Sequence, residues 1–144
     1  MKPLFKTGEL SMRPEAPENL PLEGHRVLVA EDDPVLCQLI CEILEELGSE
    51  AEGVNSGDVA LSRFSAALGS PRPYHVVIVD LRLPILSGSD TLSALRELDA
   101  DTRLVAISGS PPNTVVRTAL DRDRVGFLPK PFGVSALLAA LLPQ

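Results

Sequence analysis

From Arg26 onward the chain alternates short, unbroken apolar runs with longer stretches in which apolar residues recur every three or four positions. The runs lie at 27–30, 76–79, 104–107 and 125–128, with a shorter one near 51–54. Consecutive apolar residues without alternation mark strands buried on both faces, as in a parallel sheet covered by helices. Between them come the helical stretches. The first opens at Pro34, presents Leu36, Leu39, Ile40, Ile43, Leu44 and Leu47 as a stripe, and stops at Gly48. The second opens at Gly57, with Ala60, Leu61, Phe64 and Leu68 on one face, and ends in the breaker run GSPRP at 69–73. The third is capped by Ser89 and buries Leu92, Leu95 and Leu98; the fourth starts at Pro111 and Pro112 and carries Val115, Val116, Ala119 and Leu120. The last runs over 134–142, with Val134, Leu137, Leu138 and Leu141 toward the core. Strand and helix in strict alternation predict an α/β fold, a doubly wound five-stranded parallel sheet with helices on both faces.

Residues 1–25 lack either period and carry Pro3, Pro14, Pro17 and Pro21 among mixed charges, the composition of a flexible tail or linker. The expected domain is therefore 26–142. A chain of 144 residues with 44% hydrophobic residues suits one domain with a sizeable core. Its net charge of −7 argues against a nucleic-acid partner, which calls for a basic face. No apolar run approaches the roughly 18 residues of a membrane span, and no signal-like segment opens the chain, so a cytoplasmic protein is expected. Cys37 and Cys41 lie on one helix with His25 and His75 far off in sequence, so they read as reduced thiols at the edge of a stripe rather than a zinc site.

The polar residues that end the strands change the picture. In VVIVDLRLPILSG, at 76–88, the central strand ends in Asp80, a carboxylate poorly placed for packing. Ligands of open α/β sheets bind outside the carboxyl ends of the strands, which makes Asp80 a candidate phosphoryl-accepting nucleophile. Glu31 and Asp32 follow the first strand, Ser108 ends the fourth, and Lys130 follows the fifth. Carboxylates this close repel unless a cation joins them, and a hard divalent ion, Mg²⁺, suits an all-oxygen set. Asp80 could then attack phosphorus in line, with Lys130 stabilising charge on the phosphoryl oxygens and Ser108 bonding one of them.

With these residues in place, the chain resembles the receiver domain of two-component response regulators. The resemblance runs from Arg26 to about Leu142 and rests on VLVAEDDP (27–34), VNSGDVAL (54–61), VVIVDLRLPILSG (76–88), LVAISG (104–109) and GFLPKPF (126–132). It implies a flavodoxin-like sheet of strand order 2-1-3-4-5 with five helices. It implies that Asp80 takes phosphate from the phosphohistidine of a histidine kinase or histidine phosphotransfer protein. By the same resemblance Glu31, Asp32, Asp80 and the Arg82 backbone carbonyl hold Mg²⁺, Ser108 is a switch hydroxyl, Phe127 is an aromatic whose rotamer follows it, and Lys130 pairs with the phosphate. The bond before Pro131 is implied to be cis. Such a domain catalyses only its own phosphorylation and slow autodephosphorylation, and could be the receiver portion of a hybrid histidine kinase.

Glu31 stands where Asp is common in the family, and Arg82 puts a long cation at the rim of the site. Arg82 and Ser110 hold positions that tune phosphoryl lifetime in this family. Taken singly, the residues have plainer readings. Asp32 or Asp33 could cap the helix at Pro34, Phe127 reads equally as core, and Lys130 as a surface cation. A haloacid-dehalogenase-like phosphatase would need a second Asp where Arg82 stands, and a phosphorylation-independent binding module would not need the full set of acids, Ser and Lys. The nearly uncharged last helix and the charged run 117–124 beside it offer a contact face for a homodimer or an output partner.

Overall fold

The computed structural model describes residues 19–142. Most of the expected tail, residues 1–18, lies outside the described residues, as do 143–144. The elements follow in the order β1 (Arg26–Ala30), α1 (Pro34–Glu46), β2 (Glu50–Val54), α2 (Gly57–Leu68), β3 (Val76–Asp80), α3 (Gly88–Leu98), β4 (Arg103–Ser108), α4 (Thr114–Arg122), β5 (Gly126–Pro129) and α5 (Val134–Leu141). The strands form one parallel sheet in the order β2-β1-β3-β4-β5, as the resemblance implied.

Because successive strand residues point to opposite faces, each apolar run feeds two cores. Val27 and Val29 join Ile40, Leu44, Ile78, Ile107, Leu137 and Leu141 under α1 and α5. Leu28 and Ala30 join Phe64, Val77, Val79, Leu92, Leu95 and Leu120 under the other three helices. All five positions of β3 are buried, which accounts for a run with no polar residue before Asp80. Among the described residues no helix is long and apolar enough to cross a membrane.

The packed body begins before Arg26. Leu22 is 0% exposed, belongs to the core under α1, and donates its amide to the Leu47 carbonyl at 2.9 Å. Gly48, at φ +105°, makes the turn that receives this segment, since a Cβ there would stand 2.7 Å from the Leu20 Cβ. Proline content alone could not distinguish a loose tail from one in which a leucine finds a slot.

Helix starts also differ. The third helix is capped by Ser87, whose hydroxyl accepts from the Asp90 amide at 3.1 Å, and not by Ser89. Gly88 is already helical there, because only a residue without a Cβ fits against the backbone of Asp80. The fourth helix starts at Thr114 rather than at the prolines, capped by Asn113, whose side chain accepts from Val116 N at 2.8 Å. Four residues expected in apolar stripes face solvent: Leu39, Leu98, Val115 and Val134. Leu98, Val115 and Val134 lie in the first or last turn of their helices, whereas Leu39 lies mid-helix in α1.

Replacing Leu22 with alanine is expected to lower stability by about 2–5 kcal/mol, as for other buried leucines. Urea unfolding reads this as a lower midpoint at unchanged slope. A midpoint equal to that of the parent would put residues 19–25 outside the cooperative unit.

Candidate functional site

The strand order reverses between β1 and β3, so the connections leave those two strands in opposite directions and open a crevice at their carboxyl ends. Glu31 and Asp32 follow β1, Asp80 ends β3, Ser108 ends β4, and Lys130 follows β5. A parallel sheet brings all five to one edge.

Lys130 is the centre of the cluster. Its Nζ lies 2.9 Å from Glu31 Oε1 and 2.9 Å from Asp80 Oδ2, so one ammonium bridges two carboxylates from different strands. Both acids are almost wholly removed from water, Glu31 at 1% and Asp80 at 3% exposure. The other oxygens are also engaged. Asp80 Oδ1 accepts from the Arg82 amide at 2.9 Å, and Glu31 Oε2 from the Asp33 amide at 3.1 Å. One carboxylate oxygen each from Glu31, Asp32 and Asp80 lie within 4.8 Å of one another.

The two buried acids diverge in acidity. Burial is the largest influence on Glu31 and raises its pKa despite the Lys130 and Asp33 donors. Burial also opposes ionisation of Asp80, but the Arg82 amide, Lys130 and the hydrogen bond with Glu31 together hold its pKa below the usual aspartate value. Burial works against the Lys130 ammonium as well, and its two carboxylate partners overcome it, so the lysine pKa is raised. The Asp80 carboxylate is thus stabilised in its charged form where it stands.

The remaining site residues are positioned by local turns. Asp33, not Asp32, caps α1, accepting from the Val35 and Leu36 amides at 3.0 and 3.3 Å, which leaves the exposed Asp32 to the cluster. Three hard oxygen donors crowded beside one lysine fit a small divalent cation. Gly88 folds the loop after β3 back onto its start; a Cβ there would lie 2.2 Å from the Asp80 carbonyl oxygen. The Ser108 hydroxyl donates to the Ser110 carbonyl at 2.8 Å and accepts from the Ser110 amide at 3.2 Å, so it is turned onto its own loop. The Lys130 amide donates to the Ser108 carbonyl at 2.8 Å, which fixes the base of the lysine beside β4. Phe127 is half-buried against the core under the second to fourth helices, with the Arg117 guanidinium 5.9 Å from its ring centroid. The Lys130–Pro131 bond is cis.

Two elements of this geometry had no sequence signal: the double bridge by Lys130, and the Arg82 amide on Asp80. His25 and His75 sit at the opposite edge, before β1 and β3, with rings 5.6 Å apart and His75 Nδ1 accepting from Arg26 N. Cys37 and Cys41 are free and half-buried, and burial pushes both thiols up, Cys41 to about 12.

Residues 27–142 match the model of the response regulator receiver domain. The chain belongs to that family. Among relatives of this receiver domain, the transcription factor SKN7 of Saccharomyces cerevisiae is 31% identical over 124 residues, 85% of this chain and 19% of that protein. The cell cycle transcriptional regulator CtrA of Caulobacter vibrioides is 34% identical over 118 residues, 81% of this chain and 48% of CtrA. The chain therefore spans less than half the length of either. The receiver domain of the histidine kinase CKI1 from Arabidopsis thaliana, complexed with Mg²⁺ and BeF₃⁻, superposes with a TM-score of 0.72 at 23% identity, covering 82% of this chain and 89% of that one. At that identity the likeness shows the shared fold.

Substituting Lys130 with methionine leaves Glu31 and Asp80 facing each other without a cation. Breaking such a pair is expected to cost about 3–5 kcal/mol near neutral pH. Part of that loss should return on acidification. A carboxyl with a raised folded pKa contributes stability below its unfolded value, and loses it as pH rises through the folded value. Urea midpoints of the variant at pH 7 and pH 5 check this; a variant as stable as the parent at pH 7 would show that the bridge contributes nothing.

Proposed function

We propose that Asp80 accepts a phosphoryl group from the phosphohistidine of a histidine kinase or histidine phosphotransfer protein in the cytoplasm, and that the chain then changes conformation to signal to a partner. The observation that carries this reading is the Lys130 bridge, which keeps the Asp80 carboxylate ionised and within reach of an ammonium at 2.9 Å.

In the reaction an Asp80 oxygen attacks phosphorus. An O–P bond forms, the histidine N–P bond breaks, and its electron pair goes to the imidazole nitrogen. Lys130 stays protonated and stabilises the charge on the phosphoryl oxygens. Glu31, Asp32, Asp80 and the Arg82 carbonyl would hold Mg²⁺, which supplies further positive charge for those oxygens. The Ser108 hydroxyl exchanges the Ser110 carbonyl for a phosphoryl oxygen, and that movement draws in the loop before α4. Phe127, half-buried and not locked in the core, follows it. The result is a shift between two conformers in proportion to their differential contacts with the phosphoryl group. The output surface would include α4 and α5, where Val115 and Val134 stand exposed and a homodimer or output partner could cover them.

Two other readings are weaker on particular residues. A haloacid-dehalogenase-like phosphatase lacks its second acid, since Arg82 occupies that position. A phosphorylation-independent module has no use for a buried carboxylate pair neutralised by one lysine.

Incubation with acetyl phosphate and Mg²⁺ is expected to add one phosphoryl group, seen by intact mass. Asp80→Asn or removal of the metal with a chelator should abolish the addition. Catalytic release of phosphate would indicate the phosphatase, and an unmodified parent chain the binding module.

The phosphoryl lifetime depends on how water reaches the acyl phosphate. Arg82 is exposed at the rim while its amide is fixed on Asp80. Replacing it with asparagine shortens the cover over the phosphoryl group, so the half-life after removal of donor should shorten several-fold. An unchanged half-life would separate Arg82 from control of hydrolysis.

A further inference from the structure

Along α1, on the side of the sheet it shares with α5, runs an apolar groove that the phosphoacceptor site does not use. It encloses about 430 Å³ and is lined by Leu36, Leu39, Ile40, Ile43, Pro131 and Phe132. Ile40 is 1% exposed, but Leu39, in the middle of the helix, is left 49% exposed. A contiguous apolar surface of this kind is a place for something to cover.

The chain enters the packed body at the far end of the same helix. Leu22 donates its amide to the Leu47 carbonyl, and Leu20 lies against the Gly48 turn, so whatever precedes Leu20 is tethered where α1 ends. Measured along the helix from Leu47, Leu39 is about 12 Å away at 1.5 Å per residue. The stretch from Phe5 to Leu20 can span about 50 Å when extended, so Phe5 reaches any point of the groove. In the segment KPLFK, at 2–6, Leu4 and Phe5 stand together between Lys2 and Lys6, and no other pair of adjacent apolar residues occurs within 1–18. The helix offers the complementary charge. It contains no Lys or Arg, and the exposed Glu42 and Glu46 follow Leu39 at helical spacing, on its side of α1.

We propose that this groove is the seat of the chain's own N-terminal segment, with Leu4 and Phe5 against Leu39 and Phe132, and Lys2 and Lys6 facing Glu42 and Glu46. An apolar cavity of about 150 Å³ is enough to hold a benzene ring. The groove therefore has room for both side chains. Tethering at the end of α1 supplies an effective concentration of about a millimolar, so a contact too weak to hold a free peptide is occupied within the chain. A partner that uses this face of α1 has to displace the segment first.

The full chain contains no tryptophan, so Phe5→Trp introduces a single reporter. Its emission should be blue-shifted, and its quenching by acrylamide at least threefold weaker than in the same protein carrying Leu39→Lys, over a hundredfold range of protein concentration. Leu39 is half exposed, so lysine there leaves the packed core intact. The unaltered segment gives a second reading. Within 1–18 trypsin has one good bond, Lys6–Thr7, because proline follows both Lys2 and Arg13. Cleavage there should be at least threefold faster in Leu39→Lys than in the parent chain. Equal trypsin rates would overturn the proposal whatever the reporter shows, since tryptophan is larger than the residue it replaces. Protection that grows with concentration would give the groove to a second copy, and protection that survives Leu39→Lys would put the segment elsewhere; either result also overturns it.

Discussion

One ammonium between two buried carboxylates sets the conditions for the rest of the site. Glu31 and Asp80 come from the ends of adjacent strands, and the register Ala30↔Val79 brings them side by side. Out of water, two such charges repel strongly, and neither is a good hydrophobic core residue. Lys130 resolves the conflict from a distance. It follows β5, which is separated from β3 by β4, so its stem reaches across the end of β4 before Nζ meets both acids. The bridge therefore ties three strand ends together. Both acids pair with Lys130 and accept from one backbone amide, but burial prevails at Glu31 and raises its pKa, whereas at Asp80 burial is outweighed by the Arg82 amide, Lys130 and the hydrogen bond with Glu31, which together lower it.

The neighbouring turns make this geometry reproducible. Three consecutive acids follow β1, and the fold gives each a different environment. Glu31 is buried against Lys130, Asp32 is exposed beside the cluster, and Asp33 is committed to the helix cap. The cap fixes the start of α1, and the Asp33 amide in turn holds Glu31 Oε2. On the other side, Gly88 lets α3 begin against the Asp80 backbone, so the loop after Asp80 is closed at its base. Local helix chemistry and the placement of charge are thus the same problem here.

Much of this was legible in the sequence because a parallel sheet with buried faces leaves few choices. Apolar runs of four or five residues fit interior strands, and the residues that end parallel strands share an edge, so Glu31, Asp32, Asp80, Ser108 and Lys130 group together on sequence alone. What failed depended on tertiary fit. Ser89 and Pro111 are acceptable helix starts by local preference, but the close approach of Gly88 to Asp80 and the Asn113 cap moved both boundaries. Leu98 and Val134 follow the helical period and still face solvent, because a stripe is buried only as far as the sheet extends beneath it. Leu22 is the opposite case, an apolar residue outside any periodic stretch that the end of α1 takes into the core. The Ser110 partner of the Ser108 hydroxyl and the double bridge of Lys130 depend on loop conformation and side-chain reach, which no periodicity records.

The same bridge constrains how the site can respond to a phosphoryl group. An ammonium has three donors, and in this structure one is given to Asp80 Oδ2 while the charge pairs with Glu31 Oε1 at 2.9 Å. Donors remain for an incoming oxygen, so contact with phosphate does not require Lys130 to abandon its ion pair with Glu31. Formation of an acyl phosphate on Asp80 would remove its carboxylate charge and place more on the phosphoryl oxygens. The hydroxyl best placed to follow that displacement is Ser108, whose base is tied to the Lys130 amide while its Oγ is held only by its own turn. The charge bridge thus links Asp80 to the ends of the first and fifth strands, while the Ser108 hydroxyl on the next strand end is bonded only within its own turn.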